Sequence, residues 1–149
     1  MTDVIEIRNE RLFAVDQRTL FDAFADPEQL RHWWGPNGFT NLIERFDLVP
    51  GGSWIITMTA SNGTDFRNRS TFEIVEAPNR IVFVHHEPIH VFRMEMLFSQ
   101  EEAGTRLTWT MYFEPSEEIV ELERFIAAAN EQNFDRLETF LQETASHRA

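Results

Sequence analysis

The amino-acid sequence predicts an α+β fold: a curved antiparallel sheet of about seven strands around one long C-terminal helix, with two short helices after the first strand. Three observations predict it. The middle of the chain is a succession of apolar runs of period two, separated by turn clusters. An unbroken stretch of helical periodicity closes the sequence. Two brief helical segments lie between the first strand pattern and the rest.

Residues Val4 to Val15 alternate and form the first strand. At Asp16 the spacing changes: Leu20, Phe21 and Phe24 recur at helical intervals, and Asp16 is placed to cap the segment. Asp26-Pro27 breaks it, and Pro27 suits the first turn of a second helix running to Trp33. Gly35-Pro36-Asn37-Gly38 is a turn cluster, followed by a strand from Phe39 to Leu48. Pro50-Gly51-Gly52 turns into a strand from Ser53 to Ala60, and Ser61-Asn62-Gly63 is a hairpin signal. Phe66 to Glu76 and Arg80 to Glu87 are the next strands, joined at Ala77-Pro78-Asn79. Phe92, Met94, Met96 and Phe98 alternate with Arg93 and Glu95. Leu107, Trp109, Met111 and Phe113 alternate with Arg106, Thr108, Thr110 and Tyr112. Both patterns put one face on apolar matter and the other toward water.

The last helix, Ser116 to Glu143, opens on acids that favour its N-terminal dipole. Ile119, Leu122, Ile126, Ala129, Leu137 and Phe140 form its inward stripe, flanked by Phe125, Phe134 and Leu141. At about 1.5 Å per residue it spans on the order of 40 Å, enough to cover a small sheet. Hairpin-linked strands with one apolar face need one cover, and this helix is the element long enough to supply it. A hollow is expected where the two short helices fail to close the end.

A length of 149 residues fits one domain, residues 1–149, with a core large enough to need no metal or disulfide staple. The chain has no cysteine, which excludes disulfides and thiolate chemistry and fits a cytoplasmic setting. No secretory leader or membrane span is read, so no membrane partner is expected and the Asn62 and Asn68 triplets carry no glycosylation signal. The net charge of -12 opposes phosphate backbones and anionic membranes, and nucleic acid is excluded as a partner. Fourteen Phe and four Trp against one Tyr supply rigid apolar surface for a cavity as well as a core.

Trp33-Trp34-Gly35-Pro36 followed by Gly38-Phe39 resembles the signature of the START-like (SRPBCC) superfamily. The branch is the one named for the activator of the ninety-kilodalton heat-shock chaperone ATPase. Colinear support comes from Phe21-Asp22-Ala23-Phe24, Pro50-Gly51-Gly52, Glu73-Ile74-Val75, Arg80-Ile81-Val82-Phe83, Gly104-Thr105-Arg106-Leu107-Thr108 and Leu137-Glu138-Thr139-Phe140-Leu141. The resemblance implies the helix-grip fold, also called birch-pollen-allergen-like, and a prior for pocket binding without a specified chemistry. Two departures stand out: Asn133-Phe134 where relatives often carry Gly-Trp, and His85-His86 where many carry an aromatic.

The ligand-binding candidates are Trp33, Trp34, Phe39, Trp54, Met58, Phe72, His85, His86, Met94, Met96, Trp109, Met111, Phe125 and Phe134. The tryptophan pair gates the pocket mouth or closes the open end of the sheet, and both hold if the rings face opposite ways. The methionines suit a cavity of irregular shape and equally an ordinary core. Adjacent strand residues point to opposite faces, so one of His85 and His86 faces the cavity. His90 falls in the turn beyond Pro88, and no metal-ligand spacing, phosphate loop or nucleophile elbow is present; no cofactor and no metal are called. Glu87, Glu95, Arg67 and Arg69 read as an exposed ladder of ion pairs.

Three functions fit. The first is a binding module for an apolar or amphipathic small molecule. The second is a chaperone-interacting or regulatory module. The third is a cyclase- or hydrolase-type enzyme using a pocket histidine and an acid. A homodimer through a strand edge or helix face is compatible with each.

Overall fold

A computed structural model describes residues 4–148 of the chain, with side chains to residue 145. The element order is β1 (Ile5–Phe13), α1 (Gln17–Ala25), α2 (Pro27–Trp33), β2 (Thr40–Phe46), β3 (Ser53–Thr59), β4 (Asp65–Glu76), β5 (Arg80–Glu87), β6 (Phe92–Glu101), β7 (Gly104–Phe113) and α3 (Glu117–Arg148). The fold class is the one expected.

All pairings are antiparallel, in the order β1-β7-β6-β5-β4-β3-β2. The first two strands are thus the two edges of one sheet, and the chain between them crosses its whole width. α1 and α2 make that crossing. Asp16 caps α1 by accepting from the Thr19 amide, and Asp26 caps α2 by accepting from the Glu28 amide. Leu20, Phe21, Phe24, Leu30 and Trp33 face inward from these helices.

Three bulges bend the sheet. Glu44 of β2, Glu73 of β4 and His86 of β5 are each an extra residue without a ladder partner. A bulge increases local twist and bends its strand, so the sheet curls toward α3. Glu44 and Glu73 turn outward and hold Arg67 at 2.9 Å and Arg93 at 3.0 Å.

α3 docks along β1 on one side of the concave face. Asn9 donates to the carbonyl of Ala127 and to Glu131, and Arg11 reaches Glu131 and Asp135. Phe134 packs edge-on against Phe13 and Trp109. The inward stripe runs through Ile119, Ile126, Asn130, Asn133, Leu137 and Leu141. Phe125, expected on the inner wall, is instead 72% exposed. It precedes Ile126 and is rotated from the stripe by about a hundred degrees.

Gly104, at the start of β7, has φ +152, and a Cβ there would lie 2.1 Å from the carbonyl oxygen of Phe13. β1 approaches β7 that closely because nothing projects from this position. Gly104→Ala is expected to destabilise by roughly 2–4 kcal/mol, because the contact is with backbone that cannot rotate away. Urea unfolding measures this, and an unchanged midpoint would contradict the close approach.

Candidate functional site

The concave face of β3 to β6 carries a row that reads, strand by strand, Trp54, Ser70, His85 and Phe92, each opposite the next. α3 lies to one side of this row, and a hollow remains beneath it. An inner chamber of about 170 Å³ is bounded by Trp34, Gly35, Pro36, Trp54, Ser70, His85, Met94, Trp109, Met111, Asn130 and Asn133. An outer chamber of about 320 Å³ is bounded by Phe39, Phe66, Pro88, Ile89, Phe113 and Ile126. The two share Met58, Asn68, His85, Phe92 and Met111. The two chambers therefore adjoin, the outer one apolar and the inner one mixed. A larger groove of about 500 Å³ lies outside, between α2 and the C-terminal half of α3, with Asp135, Glu143 and Arg136 on its walls. Its charged and open lining separates it from the interior site.

The tandem tryptophans divide as their sequence allowed. Trp33 is sealed in the core, where its indole N–H donates to the Ala23 carbonyl at 3.1 Å. Trp34 meets the Trp33 ring edge-on at 5.7 Å, stacks on Trp109 at 5.2 Å, meets Trp54 edge-on at 4.9 Å and borders the inner chamber. Gly35 lets the chain turn immediately beyond, with φ +94, and a Cβ there would press on the Met58 methyl at 2.7 Å.

α3 holds this turn. The Asn133 amide accepts from the Gly35 N–H at 3.2 Å and donates to the Trp33 carbonyl at 2.9 Å. One turn further on, the Arg136 guanidinium donates to five carbonyls. Nη1 reaches Trp34, Gly35 and Pro36, and Nη2 reaches His32 and Phe39, at distances from 2.9 to 3.2 Å. Burial lowers the Arg136 pKa from its ordinary value. Among the described residues no carboxylate pairs with it, so backbone dipoles hold the charge.

Of the sequence-predicted residues, Trp34, Trp54, Met58, His85, Met94, Trp109 and Met111 come together around the inner chamber, and Phe39 stands at the outer one. Trp33, Phe72, Met96 and Phe134 are packed in the core instead and border neither chamber. Strand parity aimed Phe72 and Met96 at the concave face correctly, but both are buried in the core, Phe72 among the rings of Phe46, Trp54 and Phe83. His86 is the bulged residue on the convex face, where its Nε2 lies 2.8 Å from the Thr71 hydroxyl. Asn68, Ser70, Asn130, Asn133 and Arg136 were not singled out. Parity marked two of them: Asn68 and Ser70 alternate with the outward Arg67 and Arg69.

His85 stacks on Phe92 at 4.7 Å, and its Nε2 lies 3.0 Å from the Pro88 carbonyl. Burial pushes its pKa below the ordinary 6.5, with the Pro88 bond opposing. No acid reaches it: Glu87 pairs with Arg69 and Glu95 with Arg80. His90 borders the mouth and lies 3.6 Å from Glu118. Among the described residues no group of three His, Cys, Asp or Glu side chains is placed to hold a metal, and no helix is long and apolar enough to cross a membrane.

The sequence profile of the family described as "Activator of Hsp90 ATPase homolog 1-like protein" matches residues 14–142. A solution NMR structure of a protein from Arthrobacter aurescens has a TM-score of 0.85 at 23% identity, covering 95% of this chain and 91% of that one. Crystal structures from Mycobacterium smegmatis (0.82, 21%, covering 96% and 98%) and Nitrosomonas europaea (0.82, 20%, covering 95% and 97%) share the fold. No curated protein matches significantly. The chain belongs to the activator of Hsp90 ATPase homolog 1-like family.

Because His85 is neutral in the folded chamber, the unfolded chain binds its proton more readily. Its stabilising contribution is complete above pH 6.5 and is lost as pH falls below that value toward the folded pKa. Within that window the native protein should lose up to about 1.4 kcal/mol per pH unit relative to His85→Phe. Parallel pH dependences of the two proteins in urea unfolding would contradict a buried neutral ring.

Proposed function

We propose that this member of the family is a small-molecule binding module, which holds an apolar or amphipathic ligand in the hollow between β3–β6 and α3. The observation that carries this reading is the pair of adjoining chambers, which share five lining residues. Their combined lining is aromatic and methionine-rich, with a few polar groups at the inner end. The outer chamber alone reaches the lower end of the roughly 300–1,000 Å³ typical of ligand pockets. Met58 and Met111 stand where the chambers join, and methionine adapts its shape to a guest. A reducing, cytoplasmic setting suits a chain without cysteine.

The catalytic alternative lacks an acid beside His85, since Glu87 and Glu95 are held by arginines on the convex side, and Glu118, 3.6 Å from His90, borders neither chamber. General acid–base work of the expected kind needs both groups within reach of one reacting point. Chaperone contact is the second reading. It is favoured by the family description and by exposed Ile89, Val91, Val120 and Phe125. These residues offer apolar surface without needing a cavity.

Native mass spectrometry of freshly purified protein separates the readings. A small-molecule adduct is expected, lost on solvent extraction. Met58→Trp, which plugs the junction, should weaken binding of an apolar dye such as anilinonaphthalene sulfonate by at least about tenfold, near 1.4 kcal/mol. No adduct and no dye binding by the native chain would sink the proposal. A chaperone recovered in near-stoichiometric amount from such a preparation would favour the second reading.

A further inference from the structure

We propose that the molecule held in the cavity carries a hydroxyl group, as an alcohol or a phenol, which donates its proton to Nδ1 of His85 and accepts from the hydroxyl of Ser70. This rests on the cavity being a ligand site and adds the chemistry of the ligand's polar end. Ser70 and His85 are directly opposite each other on β4 and β5 and both border the inner chamber. They are 4% and 6% exposed. Opposed residues on one sheet face have Cβ atoms about 4.5–5.5 Å apart, so one small group can touch both side chains.

The direction of the hydrogen bonds follows by elimination. Nε2 of His85 faces the Pro88 carbonyl, which has no proton to give, so Nε2 carries the hydrogen and donates. In a neutral imidazole Nδ1 is then a bare acceptor. Burial favours that neutral form. Stacking on Phe92 fixes the ring plane, and the bulge at His86 separates the two histidines onto opposite faces. Among the described residues neither Nδ1 of His85 nor the Ser70 hydroxyl has a hydrogen-bond partner. Asn130 adds a second acceptor from α3. Its Nδ2 donates to Asn9 Oδ1 and Met111 Sδ, which leaves its carbonyl oxygen free.

These groups select among ligand chemistries. A carboxylate, ketone or ether would set a lone pair against the Nδ1 lone pair. An ammonium would be buried without a carboxylate, because the chamber lining contains no Asp or Glu among the described residues. The indole N–H groups of Trp54 and Trp109 lack acceptors but are buried within the aromatic cluster and offer the chamber nothing. A hydroxyl is uncharged and both donates and accepts at one atom, which matches Nδ1 beside Ser70.

The test compares n-decanol with decyl methyl ether, which accepts but cannot donate, by displacement of the bound dye. The alcohol is expected to bind about tenfold tighter, one neutral hydrogen bond. His85→Phe should erase that preference, and Ser70→Ala should reduce it. In the native chain, nitrogen NMR should show the His85 Nδ1 resonance moving with alcohol and staying still with ether, which does not depend on any variant folding. Equal affinities with an unmoved Nδ1 would overturn this inference and leave the cavity reading standing. Tighter binding of the ether would overturn it as well. Failure of both compounds and of the dye would overturn the cavity reading itself.

Discussion

One arginine holds the architecture of the candidate site together. The stretch from His32 to Phe39 must leave α2, turn sharply and enter the edge strand β2, and it presents its carbonyls toward α3 without a ladder to receive them. Arg136 takes five of those carbonyls, and Asn133 takes one more carbonyl and an N–H. Hydrogen bonds to a charged donor contribute about 1.5–3 kcal/mol each against an unpaired acceptor. The sum is reduced here by desolvation of the guanidinium, which also lowers its pKa. Asn41 of β2 closes the arrangement from the other side by donating to the carbonyls of Arg31 and Trp34. The result is a turn pinned from both sides, with Trp34 directed inward.

The hollow is the complement of that latch. Three bulges curl the sheet, and α3 lies along β1 rather than over the middle of the concave face. The helix therefore covers one flank, and the turn latched to it supplies a further wall. Between them stand Trp34, Trp54 and Trp109, whose mutual ring contacts fill the inner end. Aromatic contacts of this kind add about 0.5–1.5 kcal/mol each beyond area burial, and they are rigid. Aromatic rings thus wall the inner end of the hollow, and Met58 and Met111 stand between its two chambers.

Much of this was legible in the sequence. Period-two patterns and turn residues located every strand to within a few residues, and Asp16, Asp26-Pro27 and the acids after Ser116 located the helix starts. Parity separated His85 from His86 correctly, even though the separation passes through a bulge. Parity also carried Ser70 and Asn68, whose inward position follows from the outward Arg67 and Arg69. Phe125 failed because a stripe one residue wide of the mark exposes the side chain, and polar Asn130 and Asn133 occupied the inward positions instead. Arg136 was invisible for a physical reason. Its partners are backbone carbonyls about a hundred residues away in the chain, and backbone acceptors leave no mark in side-chain identity.

The Arg136 latch positions the turn and thereby the wall of the hollow. Native-state hydrogen exchange of the wild type and Arg136→Gln, read alongside dye affinity, tests it most directly. Exchange should accelerate selectively in residues 32–41, with a fall in dye affinity, while amides of β5 to β7 keep their protection. Unaltered exchange in that turn, or a uniform loss of protection across the sheet, would contradict the account.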